Sequence, residues 1–223
     1  MGFSRRKRPA GERSFQPGHA DRLKLCALLR LFYAKGWVSG TGGGICERTS
    51  KDALLLAPSG VHKEMIGPEE FFEVRIQDGS ILRRPKDPRL KPSECNAVFR
   101  AIIQARNAGS VMHSHALSAV LAADSARAGT LSISGFEMLK GIHRCSNQEV
   151  HRVPIIRNTP EEPALAADVT QVLRRQAFAS TNCVLVRDHG AYIWGADVSE
   201  AKRHAEVYHF LFEGVLARSL RRR

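Results

Sequence analysis

Two histidines stand one residue apart in the segment VMHSHA, residues 111–116. Small and apolar residues flank this segment, so it reads as a buried β-strand. Because side chains alternate between the two faces of a strand, His113 and His115 are expected to point the same way and Ser114 the other. Two imidazoles on one face are suited to bind a metal ion together. The alternative is a strand end with two half-exposed histidines.

A third histidine completes a possible metal site. His189 lies in VLVRDHGAYIWG, at the turn between two apolar strands, where a side chain can reach into a cleft. Three histidines leave one coordination position of a zinc ion open, which is typical of a catalytic rather than a structural site. A turn histidine without a ligand role is the alternative interpretation.

Two turns rich in small residues indicate an anion. The segment SGTGGGI, residues 39–45, contains three consecutive glycines whose backbone N–H groups can face a bound anion. The segment APSGVHKE, residues 57–64, adds a second turn at Ser59-Gly60. Together with a metal, backbone groups of Gly42–Gly44 and Ser59-Gly60 predict a phosphorylated substrate whose other end is chelated. Flexible tight turns would explain the same glycines.

Two acids and one thiol are further candidates. Glu94 lies at a predicted helix start, nineteen residues before His113, and Glu137 lies between glycines in SGFEMLKG. Each could equally be a solvated surface acid. Cys95 could be a small buried hydrophobic residue.

Composition limits the class of partner. The chain has 223 residues and a net charge of +12, but the first 13 residues and the last six each carry +4, which leaves only +4 between them. A mildly basic body suits a small anionic substrate, and we expect no specific nucleic acid partner. Five cysteines without CxxC spacing indicate a reduced, intracellular protein. No apolar run reaches the ~18 residues of a membrane span, and the start resembles no secretory signal.

The order of predicted elements indicates one domain. Residues 1–18 are expected to be a disordered basic tail, and residues 19–220 a single catalytic domain. Strands and helices alternate, but a hairpin at Asp78-Gly79 is also present, so we expect an α/β sandwich around a mixed or antiparallel sheet. Ser93 and Thr159 are predicted to cap two of the helices.

The chain resembles a known family along nearly its whole ordered length. The segments that carry the resemblance are GWVSGTGGGI, APSGVHKE, MHSHA, FEMLKGI, VPIIRNTPEE and VLVRDHGAYIWG. They are similar to those of the methylthioribulose-1-phosphate dehydratases of methionine salvage, within the class II aldolase and adducin superfamily. The resemblance implies a homotetramer with a three-layer α/β/α sandwich around a mixed, largely antiparallel sheet, and the expected localisation is cytoplasmic. It also implies one zinc ion per subunit, held by His113, His115 and His189.

The resemblance further implies roles for individual residues. Glu137 would be the catalytic acid/base and Cys95 would contact the substrate, 5-methylthioribulose 1-phosphate, which loses water to give 2,3-diketo-5-methylthiopentyl 1-phosphate. In the sugar-phosphate aldolases of the superfamily the acid lies nineteen residues before the histidine pair, where this chain has Glu94, so the two acids compete for one role. A class II aldolase or epimerase and a non-catalytic, adducin-like interaction protein are the alternatives, and FEMLKGI favours the dehydratase.

Overall fold

A computed structural model describes residues 19–126, 128–143 and 145–221; the predicted tail, residues 1–18, lies outside this part of the chain. The five α-helices are α1 His19–Ala34, α2 Asn96–Arg106, α3 Leu117–Ser125, α4 Leu165–Leu173 and α5 Val198–Leu220. The strands are β1 Gly44–Arg48, β2 Ala53–Leu56, β3 Pro58–Ser59, β4 Phe72–Arg75, β5 Ile81–Arg83, β6 Lys91–Pro92, β7 Ser110–Ser114, β8 Thr130–Ile133, β9 His151–Ile156, β10 Cys183–Val186 and β11 Gly190–Gly195.

Nine of these strands form one sheet, in the order β5-β4-β2-β1-β7-β11-β10-β9-β8. Among the described strands only β9 and β10 pair in parallel. Helices α1, α3 and α5 pack on one face of the sheet, and α2 and α4 pack against each other on the opposite face. This arrangement confirms the predicted α/β/α sandwich around a mixed, largely antiparallel sheet.

The alternation of apolar side chains explains the two cores. Neighbouring residues of a strand serve opposite faces, so Ile45 packs with one cluster of helices and Cys46 with the other. On α2 the buried residues recur at helical spacing, Val98 with Ile102 and Phe99 with Ile103. Burial on both faces makes the central strands β7 and β11 fully buried along their length.

One end of the sheet gathers several chain segments. Strand β7 ends there, while β1 and β11 begin there, since Gly44 and Tyr192 both pair with His113. Strand β10 runs antiparallel to β11 and ends at the same side, and β9 runs parallel to β10. Strand β8 ends at the opposite end, because its Ile133 pairs with His151, the first residue of β9.

The structure confirms one of three local predictions and contradicts two. The hairpin at Asp78-Gly79 is confirmed, with Gly79 at a φ of +77° between β4 and β5. The predicted cap at Ser93 is wrong, because α2 begins at Asn96 and Ser93 Oγ accepts a hydrogen bond only from the backbone N–H of Cys95. The predicted cap at Thr159 is also wrong: its hydroxyl donates to the carbonyl of Glu161, and a short 3₁₀ turn precedes α4. None of the described helices is long and apolar enough to cross a membrane.

Candidate metal centre and active site

Three histidine side chains converge at the end of the sheet where β7 ends and where β1 and β11 begin. The Nε2 atom of His113 lies 2.8 Å from that of His115 and 3.1 Å from that of His189, and the last two are 3.2 Å apart. His113 lies on β7, His115 directly follows the end of that strand, and His189 lies in the turn before β11. Ser114 points to the other face, where its Oγ lies 2.7 Å from Nε2 of His209, so the predicted alternation is confirmed.

The second nitrogen of two of these rings has a partner that fixes its tautomer. Nδ1 of His113 lies 3.1 Å from the carbonyl oxygen of Ala191, and Nδ1 of His189 lies 3.0 Å from Oδ1 of Asn158. Both partners are oxygen acceptors, so each Nδ1 carries the proton. The lone pair of each Nε2 is then free to bind a metal ion placed between the three rings. Acceptors behind the ligating rings are the usual support of a metal-binding histidine.

The electrostatics keep these rings in the form that binds metal. Burial, followed by the neighbouring His115 and His189, holds the pKa of His113 well below its usual value. Burial also lowers the pKa of His189, and it lowers the pKa of His115 to about 4. All three imidazoles are therefore neutral near pH 7, and metal ligation requires the neutral ring.

The donor set fits a zinc-type ion. Tetrahedral Zn–N bonds of about 2.0–2.1 Å place ligand nitrogens roughly 3.3 Å apart, and the observed separations of 2.8–3.2 Å need only a small outward movement to match. Three imidazoles suit zinc and the other late first-row transition metals, and in tetrahedral coordination they leave one position open.

Glycines allow the segments around the histidines to approach closely. A Cβ atom at Gly42 would lie 2.5 Å from Nδ1 of His115, and one at Gly190 would collide with the carbonyl oxygen of Ser114. The N–H group of Gly42 donates to the carbonyl of Ser39 within its own turn. The structure therefore gives the glycine-rich turn a packing role beside His115.

A carboxylate, a phenol and a thiol border the same site. Glu162 Oε1 lies 3.3 Å from Nε2 of His113 and accepts a hydrogen bond from the hydroxyl of Tyr192, whose ring stacks on His113 at a centroid distance of 4.0 Å. The ligand atoms of Cys95, His113 and Glu162 all lie within 4.8 Å of one another. Burial, then the charge of Glu162, raises the pKa of the Cys95 thiol, so the thiol is protonated near neutral pH.

The two acids singled out in the sequence lie elsewhere on the chain. Glu137 is 71% exposed and bonds to Lys140 Nζ at 2.6 Å and to the amide of Asn147 at 2.5 Å. Its segment follows β8, which ends at the side of the sheet opposite to the histidines. Glu94 is exposed, next to the buried Cys95. Neither acid belongs to the groups of potential metal ligands among the described residues.

Sequence reasoning missed four residues near the histidines, Asn158, Glu162, Tyr192 and Lys63. The pattern after Thr159 and Pro160 placed Glu162 among the first-turn acids of a predicted helix, and it indicated no role for Tyr192. The sequence did contain information on Tyr192. With His189 at the turn of a hairpin, Tyr192 falls in the following strand, which pairs with β7 and sets Tyr192 opposite His113. No spacing rule marks Lys63 or Asn158.

The chain is similar in sequence to known proteins of one family. The family model "Class II Aldolase and Adducin N-terminal domain" matches residues 23–216. The chain is 39% identical over 192 residues to a methylthioribulose-1-phosphate dehydratase from Gallus gallus, a match that covers 83% of this chain and 78% of that protein. It is 37% identical to the protein of the same name from Mus musculus, with 92% and 86% covered, and 38% identical to that from Homo sapiens, with 83% and 78% covered.

Solved structures share the fold at lower sequence identity. An L-fuculose-1-phosphate aldolase from Thermus thermophilus superposes with a TM-score of 0.70 at 21% identity, covering 92% of this chain and 98% of that one. Another L-fuculose 1-phosphate aldolase gives a TM-score of 0.75 at 16% identity, with 93% and 90% covered. The converging histidines, the shared fold and the identity to curated relatives lead to one assignment: the chain belongs to the class II aldolase and adducin family and, within it, to the methylthioribulose-1-phosphate dehydratases, which are lyases.

Proposed function

We propose that the protein removes water from 5-methylthioribulose 1-phosphate to give 2,3-diketo-5-methylthiopentyl 1-phosphate, as a cytoplasmic enzyme of methionine salvage. The observation that carries this proposal is the convergence of three neutral histidines beside Cys95, in a chain 37–39% identical to methylthioribulose-1-phosphate dehydratases.

One zinc ion per subunit would be held by His113, His115 and His189. When bound there, zinc supplies a Lewis acid for the substrate's carbonyl group, which makes the neighbouring C–H bond more acidic. The protein's own contribution is orientation: Ala191 and Asn158 hold two of the rings from behind. Cys95 is protonated and borders the metal ligands, so it is placed to contact the substrate as a hydrogen-bonding thiol.

The phosphate end of the substrate would lie at the two small-residue turns. Pairing of β3 with β6 sets Ser59 opposite Lys91, two residues before Ser93. A Cβ atom at Gly44 would lie 4.0 Å from Ser93 Oγ, so the second turn and the glycine-rich turn border the same space. Fixing the phosphate there would fix the reacting carbons relative to the metal ligands.

Glu137 is the proposed acid/base, and its position makes this role depend on a second subunit. Its carboxylate is exposed at the far end of its own sheet, so it would serve the metal centre of a neighbouring chain in a homotetramer. Its hydrogen bonds with Lys140 and Asn147 hold the carboxylate in place and lower its pKa. Among the described residues of one chain, Glu162 is the carboxylate that contacts the histidines, with Oε1 3.3 Å from Nε2 of His113, and it is the competing candidate.

The proposal is tested by incubating zinc-loaded protein with 5-methylthioribulose 1-phosphate and analysing the products by mass spectrometry and ¹³C NMR. Dehydration gives one product that is lighter by a water molecule and contains two carbonyl carbons. An aldolase would give two smaller fragments, and an epimerase a product of unchanged mass. Either of these results would replace the dehydratase proposal, and no turnover by zinc-loaded, folded protein would favour the adducin-like alternative.

A further inference from the structure

Arg218, on helix α5, contacts three consecutive residues that lead directly to Glu137. Its guanidinium donates hydrogen bonds to the carbonyl oxygens of Ser134 at 2.9 Å and Gly135 at 3.1 Å. The same group lies over the ring of Phe136, with its central carbon 3.4 Å from the ring centroid. Each of these exposed contacts is weak alone, but a planar guanidinium makes all three in one fixed geometry. One side chain of α5 therefore sets the course of the chain as it enters the Glu137 segment, residues 134–141.

The ring of Phe136 is packed against the same helix. A Cβ atom at Gly214 would lie 2.6 Å from Cε1 of Phe136, so the ring lies directly against the helix backbone. The ring of Phe210 meets Phe136 edge-on at a centroid distance of 6.3 Å. The three contacting residues of α5, Phe210, Gly214 and Arg218, recur every four positions and form one stripe along the helix. Phe136 is therefore the point at which the Glu137 segment is attached to α5.

A chain of hydrogen bonds connects this attachment to the carboxylate of Glu137. The N–H group of Gly135, whose carbonyl is held by Arg218, donates to the carbonyl of Asn147 at 3.0 Å. The side-chain amide of Asn147 donates in turn to Oε2 of Glu137 at 2.5 Å, and Lys140 donates to Oε1 at 2.6 Å. The carboxylate is 71% exposed and has no packing of its own to orient it. Its direction therefore depends on the segment that carries it.

We infer that Arg218 is a positioning residue for Glu137: by anchoring residues 134–136 to α5, it fixes the direction in which the exposed carboxylate points. The inference rests on the proposed acid/base role of Glu137, and it gives Arg218 no contact with the substrate. A catalytic group works only within a narrow range of distances and angles, so a carboxylate on the surface needs such an anchor. The same stripe of α5 would set where Glu137 is presented to the metal centre of the neighbouring chain.

The test perturbs this anchor in two independent ways. Arg218→Ala removes the guanidinium, whereas Gly214→Ala keeps it and places a methyl group where the ring of Phe136 lies. Arg218→Lys keeps the charge without the planar fork and should retain part of the rate that Arg218→Ala loses. The matched control is Arg221→Ala, because Arg221 ends the same helix and its side chain makes no hydrogen bond or ion pair with the described residues. Each full-length, zinc-loaded protein is checked for folding by circular dichroism and for zinc content.

Steady-state kinetics separate positioning from a general loss of structure. With 5-methylthioribulose 1-phosphate as substrate, kcat should fall at least about tenfold in Arg218→Ala, since a misplaced acid/base loses much of its contribution of about 10²–10⁴-fold. KM should change less than about threefold, because Arg218 does not bind the substrate. Gly214→Ala should lower kcat in the same way, and Arg221→Ala should match the wild type. In a Glu137→Gln background, adding Arg218→Ala should lower kcat by less than about twofold, because the group that it positions has been removed.

Amide hydrogen exchange, measured by mass spectrometry, tests the anchor without turnover. Within the Glu137 segment the N–H group of Gly135 donates to Asn147, and that of Leu139 donates to the carbonyl of Phe136. Both should exchange at least about tenfold faster in Arg218→Ala than in the wild type, because local opening no longer has to break the contacts with α5. Residues 198–212 of α5 should exchange as in the wild type, and Arg221→Ala should leave the whole segment unchanged.

The outcomes keep this inference apart from the proposed function. If the wild type does not dehydrate the sugar phosphate, the proposed function fails, and the exchange rates alone decide whether Arg218 anchors the Glu137 segment. Unchanged exchange or an unchanged kcat in folded, zinc-replete Arg218→Ala would overturn the inference, and so would a wild-type kcat in Glu137→Gln. An equal fall in kcat with and without Glu137→Gln would overturn it as well, since Arg218 would then act through another group.

Discussion

Asn158 offers the one side chain, among the described residues, that can be changed behind a metal-binding ring without touching a ligand. Its Oδ1 atom accepts from Nδ1 of His189 at 3.0 Å and from the N–H group of Thr159 at the same distance. The equivalent partner of His113 is the backbone carbonyl of Ala191, which no substitution removes. Asn158→Ala leaves the ring of His189 free to turn or to place its proton on Nε2, where it would block the metal.

The expected change in zinc affinity follows from the role of hydrogen-bond acceptors behind ligating histidines. Losing the acceptor behind a ligating histidine costs about 10–100-fold in metal affinity, which is about 1.4–2.7 kcal/mol. We therefore expect Asn158→Ala to weaken zinc binding by that factor, whereas Asn158→Asp, which keeps an acceptor at the same position, should bind at least as tightly as the wild type. Competition with a chromophoric zinc chelator measures both, with circular dichroism as the folding check.

A control asparagine separates this effect from a general loss of order. Asn107 follows α2 with a left-handed φ of 48° and accepts from Arg48 at 2.8 Å, far from the histidines along the strands. Glycine tolerates that backbone conformation, so Asn107→Gly should keep the zinc affinity of the wild type. Equal zinc affinity in Asn158→Ala and the wild type would refute the idea that Asn158 fixes the tautomer of His189.

Three further changes test separate parts of the structure. Gly42→Ala places a methyl group 2.5 Å from Nδ1 of His115, and chelator competition should show zinc binding at least about fivefold weaker, the equivalent of about 1 kcal/mol of overpacking. Burial lowers the pKa of His209 to about 4, against about 6.5 in unfolded chains, so the stability it contributes is complete above pH 6.5 and is lost as the pH falls towards 4. Urea unfolding of zinc-free protein should therefore show a loss between pH 7.5 and 5.0 that is about 2 kcal/mol larger in the wild type than in His209→Gln, and equal losses would contradict this pKa. Glu137→Gln should lower kcat at least ~10²-fold with zinc retained, and Glu94→Gln much less; steady-state kinetics with the reverse order would assign the acid role to Glu94.

The convergence of the three histidines could be predicted from the sequence because its geometry is local. Alternation along a strand sets His113 and His115 on one face, and an apolar strand on each side of His189 identifies a turn at the sheet's end. These rules need only a few neighbouring residues. They were sufficient to place all three histidines, and the resemblance to a known family supplied the rest of the fold.

The residues around the histidines could not be predicted, because tertiary contacts decide them. The segment TPEEP has the composition of a helix start, yet α4 begins only at Leu165 and a 3₁₀ turn directs Glu162 towards Tyr192 and His113. Lys63 resembles an ordinary surface lysine until the fold buries it between two turns. The role of Glu137 stays a prediction, since its exposed carboxylate has no contact with the histidines of its own chain.

The centre of the sheet is closed by strands that are far apart along the chain. Cys46 of β1 pairs with Val111, and Met112 of the same strand β7 pairs with Ile193 of β11. Two loops of more than 60 residues must therefore close before β7 is hydrogen-bonded along both of its edges. Such long-range pairings slow folding. His189 directly precedes β11 and joins the other two histidines only when β11 pairs with β7. While β11 is still inside the ribosome, the nascent chain therefore lacks the third histidine of the cluster. Binding of the proposed zinc ion by all three histidines therefore requires β11 to be paired with β7, so it would report that this long-range contact has formed.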